Sequence, residues 1–257
     1  MPPSEKRESI VSDPSYLARP DGLRLAYHHQ PGAGPAVVFL PGYMSDMDGG
    51  KALAVEAWAV AQGREVLRLD YSGCGASDGA FEDGTLDIWR DDALMLIDAL
   101  IAGPFIVVGS SMGGWLALLI AMARPDRVVG LVGIAAAPDF TDWGFSEAEI
   151  AEMEAKGKLV EATAYGDDPY VTTLAFRNSG QANLMLGGGE IAIDCPVRLL
   201  QGQLDPDVPW QTALRIAEAV RSSDVQTVLI KDGDHRLSRD TDIALLIRTI
   251  AQMPETP

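Results

Sequence analysis

Short apolar runs alternate along the chain with longer segments in which apolar residues recur every three or four positions. The short runs predict buried strands, and they occur at residues 37–40, 66–69, 105–108, 128–134, 197–200 and 225–230. The longer segments predict helices, and they lie around Leu53 and at residues 86–100, 115–123, 210–220 and 243–250. This alternation predicts an α/β fold, with a mostly parallel central sheet and helices on both faces.

Two segments depart from this alternation. Residues 22–29 alternate between apolar and polar positions, which predicts an antiparallel edge hairpin with residues 16–19. Residues 139–194 contain helix-like pieces, two acidic clusters and a Gly187-Gly188-Gly189 turn, but no clear core strand. We therefore expect a single domain over residues 1–257, with an inserted cap at about 139–194 over the carboxyl edge of the sheet.

The charge of the chain limits its binding partners. The 257 residues include 37 acidic and 20 basic side chains, which gives a formal net charge of −17. Such a charge repels phosphate backbones and anionic membranes, so we do not expect nucleic acid as a partner. No apolar run approaches the roughly 20 residues that cross a bilayer, and no transmembrane segment is expected.

The start of the chain and its cysteines bear on cellular location. The first dozen residues are polar and contain no apolar segment typical of a signal peptide. This favours a cytoplasmic protein, with the mitochondrial matrix as the alternative. Cys74 and Cys195 are too few for a disulfide framework and lack metal-site spacing, so both are expected to be structural.

Residues 109–113 read Gly-Ser-Ser-Met-Gly and lie between a predicted strand and a predicted helix. This context is typical of the G-x-S-x-G elbow, in which a nucleophilic serine projects from a sharp turn above a sheet. Only very small residues two positions before and after the nucleophile avoid a clash. Gly109 and Gly113 flank Ser111 in this way, whereas Ser110 would have bulky residues at both positions. Ser111 is the predicted nucleophile, and a Gly-Ser loop that merely packs is the alternative.

A serine needs a base to become nucleophilic near neutral pH, and histidine is scarce in this chain. The three histidines are His28, His29 and His235. His235 follows the last predicted strand, at the sheet edge where catalytic groups collect in open α/β folds. His28 and His29 lie on the predicted N-terminal edge strand and are expected at the surface. His235 is therefore the predicted general base, with a solvated loop histidine as the alternative.

Two acids compete to orient this histidine. Asp205 and Asp207 both follow the penultimate predicted strand, and the chain order serine, acid, histidine is a known order of such triads. Asp205 comes sooner after the strand and is the predicted orienting carboxylate, while Asp207 is the alternative.

Two backbone N–H groups are predicted to stabilise an oxyanion. Met112 stands at the start of the predicted helix, where the helix dipole favours negative charge. Tyr43 lies in the loop after the first predicted parallel strand and is the predicted second donor. The Gly-rich segment at residues 70–78 lacks the spacing of a dinucleotide fingerprint, and we expect a structural turn there.

Several strings of the sequence resemble one branch of the α/β-hydrolase superfamily. They stand at residues 40–43 (Leu-Pro-Gly-Tyr), 70–73 (Asp-Tyr-Ser-Gly), 109–115, 123–125 (Ala-Arg-Pro) and 234–236 (Asp-His-Arg). The branch includes the mitochondrial palmitoyl-protein thioesterase that is also known as mycophenolic acid acyl-glucuronide esterase. The resemblance implies the α/β-hydrolase fold and the triad positions for Ser111, Asp205 and His235. Together with the polar start, it favours a bacterial relative of that branch.

These observations predict a serine hydrolase that cleaves carboxylic esters or thioesters through an acyl-enzyme, with no cofactor and no metal. Its expected substrate is a small-molecule ester or thioester, or an acylated protein. Peptidase, lactonase and carbon–carbon hydrolase activities share this machinery and remain alternatives, as does a non-catalytic ligand receptor of the same fold.

The predicted cap carries apolar side chains among its acids. They are Phe140, Trp143, Phe145, Met153, Leu159, Leu174, Phe176, Leu184 and Met185. Apolar groups above a nucleophile suit an acyl chain better than a peptide. The alternative is that they form only the small core of the cap itself.

Overall fold

The central sheet of the protein, seen in a computed structural model, has eight strands; the structure describes residues 13–162 and 169–254. The ten strands of these residues are β1 (Ser15–Ala18), β2 (Arg24–Gln30), β3 (Ala33–Leu40), β4 (Arg64–Leu69), β5 (Phe105–Ser110), β6 (Val128–Ile134), β7 (Lys158–Glu161), β8 (Tyr170–Thr173), β9 (Val197–Gly202) and β10 (Val225–Ile230). The sheet order is β1-β2-β4-β3-β5-β6-β9-β10. The six strands from β4 to β10 in this order are parallel to one another, whereas β2 is antiparallel to both of its neighbours, β1 and β4. This confirms the predicted mostly parallel sheet.

Helices cover both faces of this sheet, as predicted. The helices of the described residues are α1 (Gly50–Ala61), α2 (Leu86–Leu100), α3 (Met112–Ala123), α4 (Phe140–Trp143), α5 (Glu147–Lys156), α6 (Leu174–Ala182), α7 (Gln211–Ala219) and α8 (Asp240–Ala251). Side chains of β3 alternate between the two faces: Val37 and Phe39 pack with α1 and α8, whereas Val38 and Leu40 pack with α2 and α3. None of the helices in the described part of the chain is long and apolar enough to cross a membrane.

The segment between β6 and β9, here called the insertion (residues 135–196), contributes no strand to the central sheet in its described residues. It contains α4, α5 and α6, and its β7 and β8 form a separate antiparallel pair. Sequence patterns missed these two strands because each has only four residues and is partly exposed. The ring of Phe176 in α6 packs 5.4 Å from that of Trp89 in α2, which anchors the insertion on the main core. The part of the predicted cap at residues 163–168 lies outside the described residues.

The N-terminal hairpin forms, but one expectation about it is wrong. β1 is the edge strand, whereas β2 lies inside the sheet between β1 and β4. His28 of β2 pairs in register with Arg68 and is only 6% exposed, so it is not a surface residue. Burial and the nearby Arg68 charge lower the pKa of its imidazole. His29 is half-buried, with its Nε2 at 2.9 Å from Glu65 Oε1.

The Gly-rich turn after β4 is built around a buried carboxylate. Asp70 is 1% exposed and accepts hydrogen bonds from the Met47 N–H at 2.7 Å and the Ala76 N–H at 2.8 Å. Burial raises the pKa of this carboxyl to about 6. A side chain at Gly75, where φ is 50°, would overlap the Asp70 carboxylate. These contacts support the structural role expected for this turn.

Gly113 sets how closely α3 approaches the end of β3. A Cβ at this position would overlap the carbonyl oxygens of Leu40 and Pro41. Helical glycine normally costs about 1 kcal/mol relative to alanine, but overpacking costs about 1–3 kcal/mol. We therefore expect Gly113→Ala to lower the free energy of unfolding in urea. Gly103→Ala is the matched control, since a Cβ there meets no atom within 4 Å. Equal stability of the two variants would contradict this packing.

Candidate active site

Ser111 occupies a strained turn between β5 and α3. Its backbone has φ 54° and ψ −119°, a conformation that side-chain-bearing residues rarely adopt. A Cβ at Gly109 would overlap the carbonyl of Gly113, so the turn requires glycine there. The turn projects the Ser111 side chain above the carboxyl edge of the sheet, as expected for an elbow.

The three side chains predicted as a triad lie in one hydrogen-bonded chain. Ser111 Oγ is 3.0 Å from His235 Nε2, and His235 Nδ1 is 2.9 Å from Asp205 Oδ2. Because the carboxylate accepts the proton on Nδ1, Nε2 is left as the acceptor for the serine hydroxyl. The side chain of His235 is 16% exposed and that of Asp205 is fully buried. The arrangement can therefore take a proton from Ser111 and stabilise the imidazolium that results.

Asp205 is held in place by four donors. Its Oδ1 accepts from the N–H groups of Asp207 and Val208, at 2.9 and 2.8 Å. Its Oδ2 accepts from His235 and from Gln201 Nε2, the latter at 2.9 Å. Burial opposes ionisation, but the His235 ring and the two backbone donors outweigh it and hold the pKa of the carboxyl below its usual value.

The two competing acids therefore differ in their surroundings. Asp207 is exposed and contributes a backbone N–H to Asp205, whereas Asp205 contacts the histidine directly. Sequence reasoning did not identify Gln201, which is fully buried in β9. Its polar side chain among the apolar residues of a buried strand is the sequence signal that could have identified it.

The residues that carry the two predicted oxyanion donors are Met112, directly after the elbow serine, and Tyr43, directly after a glycine that lies beside that serine. Met112 is the first residue of α3. Gly42, which precedes Tyr43, lies so close to Ser111 that an added Cβ would be 3.4 Å from the serine Cβ. The loop after β3 therefore runs alongside the serine.

The side chain of Tyr43 has contacts that the sequence did not predict. Its hydroxyl donates to the backbone carbonyl of Val171 in β8 at 2.6 Å. Its ring lies within 4.9 to 6.1 Å, centroid to centroid, of five aromatic rings, those of Phe81, Trp89, Phe140, Tyr170 and Phe176. Burial raises the pKa of its hydroxyl, which therefore stays protonated as a donor.

A cleft of about 830 Å³ opens above Ser111 and His235. Of the nine apolar residues named for the predicted cap, Phe140, Trp143 and Phe145 line it. Met153, Leu159 and Phe176 are instead buried in the protein interior. Some apolar residues of the predicted cap therefore line the cleft, while others form core.

Lys51 lies in the cleft wall near the histidine. Its Nζ donates to the Arg236 carbonyl at 2.5 Å, which connects α1 to the loop that carries His235. Burial lowers the pKa of this ammonium to about 8. This contact joins distant segments and has no sequence signal.

The two cysteines and a cluster around Asp205 are other residues whose side chains could carry chemistry. Burial raises the pKa of the Cys74 thiol to about 12 and that of Cys195 to about 11, so neither forms a thiolate near neutral pH. Ligand atoms of Asp205, Asp207 and His235 lie within 4.8 Å of one another. Asp205 and His235 already use theirs in the hydrogen bonds to each other and to Ser111, so the group does not fit a metal site.

An elbow serine bonded to a histidine from another strand-end loop is an arrangement found in one large class of α/β enzymes. Residues 35–165 match the family model described as alpha/beta hydrolase fold, and the chain belongs to this family. The protein is therefore a hydrolase.

Curated relatives agree with this assignment. The human mitochondrial palmitoyl-protein thioesterase ABHD10 is 42% identical over 240 residues, covering 92% of this chain and 78% of the relative. The alpha/beta hydrolase domain-containing protein 10 from mouse superposes with a TM-score of 0.87 at 39% identity, covering 93% of this chain and 97% of the mouse chain. A structure from Agrobacterium vitis S4 matches with the same TM-score of 0.87 and 39% identity, covering 93% and 96% of the two chains. The resemblance inferred from the sequence strings is confirmed.

The geometry predicts different effects for the two competing acids. Asp205→Asn would present the wrong hydrogen-bonding group to His235, and we expect a loss on the order of 10⁴ in kcat/KM for an ester substrate. Asp207→Asn keeps the backbone N–H that serves Asp205 and should leave kcat/KM nearly unchanged. Steady-state hydrolysis by both variants checks this, and a larger loss in Asp207→Asn would refute the choice of Asp205.

Proposed function

We propose that this protein is a serine hydrolase that cleaves carboxylic esters or thioesters of acyl chains. The observation that carries the proposal is the hydrogen-bonded chain from Ser111 through His235 to the buried Asp205, with Ser111 and His235 lining the cleft. The palmitoyl-protein thioesterase activity named for the human relative supports acyl esters and thioesters as the substrate class.

In the proposed reaction, Ser111 Oγ attacks the acyl carbonyl carbon while His235 Nε2 takes the hydroxyl proton. Asp205 stabilises the imidazolium and fixes its orientation. The tetrahedral intermediate collapses when the bond to the leaving group breaks, and His235 gives the proton to the departing alcohol or thiol. A water molecule then attacks the acyl-enzyme, with His235 again taking and returning the proton. The acid leaves and Ser111 is regenerated.

We further propose that the N–H groups of Met112 and Tyr43 bind the oxyanion. The position of Met112 at the start of α3 supports its role, because the helix dipole favours negative charge there. The close approach of the Gly42 backbone to Ser111 supports the role of Tyr43. Two donors aimed at the developing charge would lower the barrier for both the acylation and the deacylation step.

The insertion acts, in this proposal, as a cap on a single domain and forms one wall of the acyl pocket. Phe140, Trp143 and Phe145 bring apolar surface into the cleft that contains Ser111. A small-molecule ester or an acylated protein can both present an acyl chain to such a pocket. The cytoplasm and the mitochondrial matrix both stay predictions for its location, and the mitochondrial relatives are consistent with the matrix.

Hydrolysis of an acyl ester series tests this function. Each methylene buried in the pocket contributes up to ~0.8 kcal/mol. We therefore expect kcat/KM for p-nitrophenyl and CoA acyl substrates to rise from acetyl to medium chain lengths. Ser111→Ala should abolish turnover, with a loss on the order of 10⁶, while Ser110→Ala keeps most activity. Phe145→Ala should reduce the preference for longer chains, and Leu184→Ala, whose side chain is exposed outside the cleft, should not.

Three results would overturn the proposal. A preference for peptide amides in parallel aminopeptidase assays would indicate a peptidase instead. A kcat/KM that stays flat or falls with increasing acyl chain length would contradict an acyl-binding pocket. Equal activity of wild type and Ser111→Ala would contradict a mechanism in which Ser111 is the nucleophile.

A further inference from the structure

The loop after β3 carries the Tyr43 N–H, and three of the points that fix it lie at Pro41, Tyr43 and Met47. Tyr71 donates its hydroxyl to the Pro41 carbonyl at 3.1 Å, and the Met47 N–H donates to Asp70 at 2.7 Å. Both of these partners belong to the turn after β4, so they connect the loop to the body of the sheet. The third point is the Tyr43 hydroxyl, which donates to Val171 at 2.6 Å and connects the loop to the insertion.

The backbone between these points is strained. Met44, the residue directly after Tyr43, has φ 52°, which side-chain-bearing residues rarely adopt. Such conformations persist only where surrounding contacts enforce them. The contacts on either side of Met44 are therefore needed to keep the loop, and the Tyr43 N–H within it, in this position.

The insertion supplies much of the surface around the Tyr43 ring. Phe140 of α4, Tyr170 of β8 and Phe176 of α6 all contact the ring. Phe140 and Tyr170 also line the cleft. A displacement of the insertion would thus remove the hydroxyl acceptor and part of the ring packing at the same time.

We propose that the Tyr43 side chain is a positioning group through which the insertion holds the Tyr43 N–H in place for the oxyanion. This inference rests on the proposed function, because it takes that N–H as an oxyanion donor. The insertion then has two roles: it lines the acyl pocket, and its β8 strand completes the support of the catalytic loop. An enzyme with a displaced insertion would still bind acyl chains weakly but would lose transition-state stabilisation.

Tyr43→Phe tests the inference, since it removes the hydroxyl donor but keeps the ring and the backbone N–H. Loss of one oxyanion donor costs on the order of 100-fold in kcat, and a misplaced donor should cost about 10-fold. We expect this loss in kcat for p-nitrophenyl octanoate with KM changed by less than about twofold, the pattern of an interaction made in the transition state. The rate of Ser111 labelling by a fluorophosphonate should fall in parallel. Tyr27→Phe, on β2, is the matched control and should match wild type.

Hydrogen exchange provides a second measurement that does not depend on turnover. In Tyr43→Phe, backbone amides of residues 42–46 and of β8 should exchange faster together, while the thermal midpoint shows that the fold is retained. Faster exchange confined to β8, with kcat and labelling at wild-type values, would show that the hydrogen bond only stabilises the insertion and would overturn the inference.

Different results would contradict the positioning role of Tyr43 and the proposed hydrolase function. If Ser111→Ala abolishes hydrolysis but Tyr43→Phe retains wild-type kcat, the inference alone is wrong. If Ser111→Ala is as active as wild type, the proposed function is wrong and the inference falls with it.

Discussion

Ser111 holds a strained backbone conformation at the centre of the site, with φ 54° and ψ −119°. A residue in such a conformation costs on the order of 1–3 kcal/mol, so its surroundings must enforce it. The Ser111 N–H donates to the Ile134 carbonyl at 2.9 Å, and its carbonyl accepts from the N–H groups of Gly114 and Ala137. The elbow is thus held by β6, by α3 and by the first residues of the insertion. Glycine at positions 109 and 113 then lets strand, helix and the end of β3 meet without side chains between them.

The order of the parallel strands brings the remaining groups to the same edge. β9 and β10 are neighbours, so the loops that follow them bond directly: the Leu204 N–H donates to the Gly233 carbonyl at 2.9 Å. This bond links the loop that carries Asp205 to the loop that carries His235. β6 and β9 lie between the strands that precede Ser111 and His235, so the histidine reaches the serine across the carboxyl ends of these two strands. Three side chains distant in sequence are positioned by rigid strands, which is how such folds support chemistry on their loops.

Local patterns in the sequence were sufficient for the parts of this structure that depend on local geometry. Gly109 and Gly113 around Ser111, between a strand and a helix, are typical of an elbow, and parallel strands bring the loops at their carboxyl ends to one edge of the sheet. Contacts between distant segments had no such signal. His28 is buried because β2 pairs with β4, Gln201 reaches the Asp205 loop from inside β9, and Tyr43 reaches an insertion whose packing no periodicity specified. The triad roles themselves stay predictions that the geometry supports.

The proposed mechanism requires a covalent acyl-enzyme at Ser111, and rapid-quench mass spectrometry detects such an intermediate directly. The enzyme would be mixed with p-nitrophenyl octanoate, quenched in acid within the first turnover, digested and fragmented. We expect an octanoyl group on Ser111 that appears and decays at rates consistent with turnover, and none in Ser111→Ala. Turnover without an acylated intermediate, or with the acyl group on Ser110 or Cys74, would contradict it.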